Sequence, residues 1–207
     1  MSNTINSISG NLNTPAQSPS YLAYLDNLIK TSDMIILDAD TAQKGAAYDA
    51  LVRQFIPFLA KHKRQIICPQ ATLSELKFLS ASVDQRVAGK ATKALEGIHA
   101  LFHAGFIVFR GDPNKSETAD AAIIRMVATN IWDTNILVLT QSGDVAADCK
   151  LFNQIRSTKI NHTVTVKRIS DQFGKLQDFF ESHNSLDQIS EKKTTANTAD
   201  VLKRFGL

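Results

Sequence analysis

Cysteine is scarce in this sequence: Cys68 and Cys149 are the two present in 207 residues. Two cysteines rule out a disulfide framework, and their separation matches no metal-ligand spacing. They fit a reducing compartment and a role as small buried hydrophobes. Long apolar runs are missing too, so no stretch reaches membrane-spanning length. The opening segment, MSNTINSISGNLNTPAQSPS, has neither a basic n-region nor an apolar h-region and reads as neither signal peptide nor membrane anchor. The expectation is a soluble cytoplasmic protein with no membrane partner. Glycine-rich phosphate loops are absent, which leaves nucleotide hydrolysis of the P-loop type unsupported. Nor is there an internal repeat, or a strong charge of one sign. A net charge of +3 and a pI near 8.8 are compatible with a polyanionic partner without demanding one.

What is present is ordinary globular material, 43% hydrophobic and 21% charged, enough for a single core. Residues 1–20 and 183–207 are rich in polar residues and read as flexible ends flanking a domain over 21–182. The terminal VLKRFGL regains apolar character at Val201, Leu202, Phe205 and Leu207, a segment suited to docking on a protein partner or on the domain itself. Short apolar runs at 34–37, 65–68, 106–109, 136–139 and 163–166 predict strands. Helical patterns over 46–61, 72–80, 86–104, 117–130, 144–156 and 171–181 fill the gaps, with Gly105 as a helix-ending residue and RGDPN as a turn. Such alternation predicts an α/β/α sandwich around a mainly parallel sheet of about five strands. In these sheets, ligands bind beyond the carboxyl ends of the strands.

Acidic residues gather at that edge. Asp38 follows MIIL directly in MIILDADTA, with Asp40 two residues on. A carboxylate at the end of a buried strand needs a compensating partner. The strand ILVL leads into TQSGDVAAD, which brings Thr140, Ser142, Asp144 and Asp148 to the same edge, and Glu75 lies one helical turn beyond QIIC. Asp120 continues the apolar stripe of Ile123, Ile124 and Val127 and so points inward, with Glu117 beside it at the helix start. Convergent carboxylates repel one another unless a cation sits between them, and all-oxygen ligands favour Mg²⁺ or Mn²⁺. An ion of this kind binds phosphate oxygens, which suits hydrolysis of phosphate esters.

The order IILDADT, Glu75 in TLSEL, Asp120 in ADAAIIRMVA and then ILVLTQSGDVAAD resembles the PIN domain, a metal-dependent nuclease fold, over roughly residues 33–170. That resemblance implies one or two divalent ions and cleavage of RNA or single-stranded nucleic acid by an activated water. By motif, Asp38, Glu75 and Asp120 are the metal-binding acids. Ser142 stands where the family usually carries an aspartate, and Asp144, after Gly143, is the candidate substitute. In the expected mechanism Asp38, Asp120 and Asp144 hold the ion and Glu75 positions or deprotonates the water. Asp40, Glu117, Thr140 and Ser142 support them. Arg86, Lys90 and Lys93 form a helical stripe able to meet a phosphate backbone.

Each residue also has a bland reading. TLSE around Glu75 and NKSE around Glu117 match capping boxes, Asp144 or Ser142 can cap a helix, and the basic stripe can simply be solvated. His99 and His103 have zinc-like spacing but no third nitrogen or sulfur ligand. Two rival functions remain at this level. One is a phosphatase resembling the haloacid dehalogenase type, with Asp38 as nucleophile and Asp40 as acid/base. The other is a catalytically weakened PIN-like module that binds nucleic acid or protein. Oligomeric state, a homodimer included, is left open by the sequence.

Overall fold

A computed structural model of the chain describes residues 18–113, 115–155, 162–171 and 174–179. Six strands form one sheet: β1 (Met34–Leu37), β2 (Ile66–Pro69), β3 (Ile107–Arg110), β4 (Ile136–Leu139), β5 (Val164–Ile169) and β6 (Leu176–Asp178). Their order is β3-β2-β1-β4-β5-β6, parallel throughout except for β6, which runs antiparallel to β5. The helices are α1 (Pro19–Thr31), the short α2 (Ala39–Ala42), α3 (Ala46–His62), α4 (Gln70–Ser80), α5 (Gln85–His103), α6 (Ala119–Asn130) and α7 (Gly143–Ile155).

Strand side chains alternate between two cores, as the two-residue period of a strand requires. Ile35, Leu37, Ile66, Cys68, Leu137 and Leu139 pack with α1, α3, α4 and α5 on one face. Met34, Ile36, Ile67, Ile136 and Val138 pack with α6 and α7 on the other. Both faces of β1, β2 and β4 are therefore covered, which is why these strands are apolar throughout. The predicted α/β/α sandwich with a mainly parallel sheet is what the chain adopts. Both cysteines are buried and unpaired.

Three expectations need correction. The predicted helix over 171–181 is not formed: Gly174 takes φ +62° and the chain turns back into β6, a sixth strand. An added Cβ at Gly174 would lie 2.3 Å from the Ala47 carbonyl oxygen, so the close approach to α3 requires glycine. Helix α1 begins at Pro19, inside the segment read as a flexible end. Ser18 caps it, Pro19 sits in its first turn, and Leu25, Leu28 and Ile29 bury its inner face. Finally, α4 starts at Gln70 rather than at residue 72, so Thr72 lies inside the helix, fully buried, its hydroxyl without a hydrogen-bond partner among the described residues. The TLSE capping box is not made. Gly105 does close α5 at φ +80°, the Phe106 amide donating back to the Leu101 carbonyl. Residues 1–17 and 180–207, with the apolar terminal segment, lie outside the described residues, as does Asn114 of NKSE. Among the described residues no helix is long and apolar enough to cross a membrane.

Candidate active site

Strands β1 and β4 are neighbours, and the chain leaves the carboxyl end of β1 toward β2 but that of β4 toward β5, so the two connections diverge and open a crevice there. Leu37 pairs with Leu139 in register, which sets the next residues, Asp38 and Thr140, side by side. Asp38 is 2% exposed. Its amide donates to the Leu139 carbonyl at 3.0 Å. Its Oδ1 accepts from the Ala39 amide at 2.6 Å, capping α2, and its Oδ2 accepts from the Thr140 hydroxyl at 2.7 Å. Thr140 Oγ1 in turn accepts from the Ser142 amide at 2.9 Å. Ser142 Oγ donates to Asp120 Oδ2 at 3.0 Å and accepts from the Val145 amide at 3.3 Å, closing the first turn of α7. A continuous chain of hydrogen bonds thus links Asp38 to Asp120 across two strands and two helices.

Electrostatics set these groups apart. The Asp38 pKa is raised to about 6: burial is the largest cause, and the carboxylates of Asp40 and Asp120 add to it against the opposing bonds from Thr140 and Ala39. Glu75 on α4 is half-buried and is also raised, first by burial and then by Asp40 and Asp120. The Ala119 amide, at the start of α6, donates a partly offsetting bond to it. Four acids from three segments therefore share one field, and no cation is among the groups that shift Asp38 or Glu75. Asp40 itself is exposed.

The other predicted residues divide. Glu117 is tied to Arg125 at 2.6 Å and Lys115 at 3.4 Å, which hold its carboxyl below the usual range, with Arg125 the larger cause. The helix that follows it, α6, is capped by Thr118. Asp144 is exposed in the first turn of α7 and lines, with Glu117, Asp120, Arg125 and Asp148, a cavity of about 490 Å³. It is not among the acids acting on Asp38 or Glu75. Gly143 has no positive φ, so the loop is not reshaped there. Arg86, Lys90 and Lys93 lie together along a separate open groove at the start of α5. His99 and His103 pack on Phe109 and Phe102 respectively. The bond from the Ala119 amide to Glu75 was invisible in sequence because it joins two helices.

The donors suit a hard divalent ion, being oxygen ligands with excess negative charge. No cation is among the groups acting on Asp38 or Glu75, while Arg125 lines the neighbouring cavity with Asp120 and Asp144 and is tied to Glu117. Among the described residues, no three His, Cys, Asp or Glu side chains stand as a ready ligand set, so side-chain rotation would have to complete one.

No protein-family model and no curated protein sequence matches this chain. Solved structures similar to it include the PIN domain endonuclease Utp24, at 13% identity and a TM-score of 0.44, covering 73% of this chain and 94% of that one. A likeness at that level carries no weight for chemistry.

Proposed function

We propose that this protein is a PIN-like nuclease that hydrolyses phosphodiester bonds in RNA or single-stranded nucleic acid, using Mg²⁺ or Mn²⁺. The observation that carries the proposal is the hydrogen-bonded path from buried Asp38 through Thr140 and Ser142 to Asp120, placed at the sheet's crevice with Glu75 in the same field. Capping α2 and α7 accounts for single members of this path but not for the convergence of Asp38, Asp40, Glu75 and Asp120, which concentrates charge without a cation among the groups acting on Asp38 or Glu75.

Asp38 and Asp120 would hold the ion, Asp144 joining from the rim of the neighbouring cavity. A bound divalent ion supplies charge neutralisation and polarisation at the phosphate. The protein's own part is positional. Thr140 fixes the Asp38 carboxylate through Oδ2, and Ser142 fixes Asp120 while holding the start of α7. Glu75, its affinity for a proton raised by its surroundings, accepts one from the attacking water as the P–O bond to the leaving oxygen breaks. The leaving oxygen departs protonated by solvent. Arg86, Lys90 and Lys93 offer positive charge for more distant backbone.

A phosphatase with Asp38 as nucleophile is less well supported, because it would leave Glu75 and Asp120 without work although both lie in the same field. Labelled single-stranded RNA incubated with purified protein and Mn²⁺ tests the proposal. Cleavage is expected from the wild type and not from Asp38→Asn or Asp120→Asn. Equal cleavage by all three would end the assignment.

A further inference from the structure

A second cavity opens at the same sheet edge, where Gln141 follows β4 and Arg168 and Ile169 end β5. Lys44, Gln141, Arg168, Ile169, Ser170, Asp171 and Gln177 line its roughly 460 Å³. Its walls continue the site directly. Gln141 stands between the two residues that bridge Asp38 to Asp120, and Lys44 follows the helix that Asp38 caps. Its charge is opposite in character to the acid cluster: two cations, Lys44 and Arg168, against one carboxylate.

That carboxylate, Asp171, accepts from Lys44 Nζ at 2.8 Å with its side chain 84% exposed. An ion pair this exposed holds its lysine weakly and can exchange partners. Beside it, the Gln141 amide nitrogen is shut away from water and has no hydrogen-bond partner among the described residues. A buried, unpaired donor of this kind is costly. The terminal torsion of glutamine is broad, so rotation can turn the amide into the cavity.

Resting on the nuclease reading, we propose that this cavity is a subsite for the phosphate next to the scissile one. On binding, Lys44 passes from Asp171 to a non-bridging phosphate oxygen, and the Gln141 amide turns to donate to another. The strand then crosses the acid cluster with one phosphate at the cleavage point and its neighbour in a positive, donor-rich pocket.

Two measurements separate this subsite from the nuclease reading. Inorganic phosphate titrated into the full-length protein, followed by NMR of side-chain amides, is expected to shift the Gln141 signal in the wild type. It should not do so in Lys44→Ala. Absence of a wild-type shift at millimolar phosphate, or the same shift in Lys44→Ala, overturns the subsite whether or not RNA is cleaved. With single-stranded RNA as substrate, Lys44→Ala and Gln141→Ala are expected to raise KM about tenfold, more than they lower kcat. The salt dependence of RNA binding should lose about 0.7 from its logarithmic slope in Lys44→Ala. A wild type that cleaves no RNA yet shows the phosphate shift would remove the nuclease reading and keep the pocket. Cleavage with unchanged KM in both variants would do the reverse.

Discussion

Two buried charges lie within one sheet and are treated in opposite ways. Lys167 on β5 is 6% exposed and is given a carboxylate, Asp178 on β6, together with the ring of Tyr24 at 5.4 Å. Burial pulls its pKa down, but these partners outweigh burial and the net shift is upward. Asp38 on the neighbouring edge is buried more deeply and is given two neutral donors and two further carboxylates, so that its pKa rises to about 6. Where this fold needs a charge for its own integrity, it provides the opposite charge nearby. At Asp38 it provides more of the same sign, and that asymmetry is what the proposed metal site rests on.

The largest expected effect breaks the acidic side of the comparison. Asp38→Asn and Asp120→Asn should each lower RNA cleavage by at least a hundredfold in Mn²⁺, measured as initial rates on labelled single-stranded RNA. The same Asp38 substitution should stabilise the metal-free fold. Because the folded pKa lies above the unfolded value of 3.8, the group's contribution to stability is fully present below pH 3.8 and is lost as pH rises through about 6. At pH 7 the ionised carboxylate then costs about 3 kcal/mol, so Asp38→Asn should raise Tm there and leave it nearly unchanged at pH 3.5. Calorimetry at the two pH values reads the difference.

Metal addition sharpens the same point. Millimolar Mn²⁺ should raise the wild-type Tm at pH 7 by several degrees, in proportion to the logarithm of its concentration, and should do so far less in Asp38→Asn or Asp120→Asn. Thr140→Val removes the donor to Oδ2 while preserving shape. Cleavage should fall about tenfold, and the acidic limb of the pH–rate profile should move upward as Asp38 loses the bond that favours its ionised form. The smallest effect is expected on the paired side. Lys167→Met should cost about 1 kcal/mol by denaturant melts, because Asp178 is partly exposed and recovers water, and cleavage should be unaffected.

The sheet and the position of Asp38 were legible because parallel strands covered on both faces must be apolar throughout, and Asp38 interrupts such a run at its end. The inward stripe of Asp120, Ile123, Ile124 and Val127 was legible for a similar reason, and the three apolar members are all buried. Glu75 was expected at the site with a capping box as its bland reading, and the start of α4 at Gln70, with Thr72 buried inside the helix, removes that bland reading. Helix α1 carried its signals in Ser18, Pro19 and the Leu25, Leu28, Ile29 spacing, which the polar residues before it masked. β6 gave no usable signal: three residues are too few for a period, and what stops a helix there is the contact between Gly174 and α3.

That contact reaches beyond local geometry. Among the described residues β6 is the last plank on its side of the sheet, and it covers the second half of β5, Lys167, Arg168 and Ile169, whose flank would otherwise offer itself to another chain. A single methyl group at position 174 would pry that plank loose, taking the counter-charge of Lys167 with it. Self-association, rather than lost chemistry, is how such a variant would first fail.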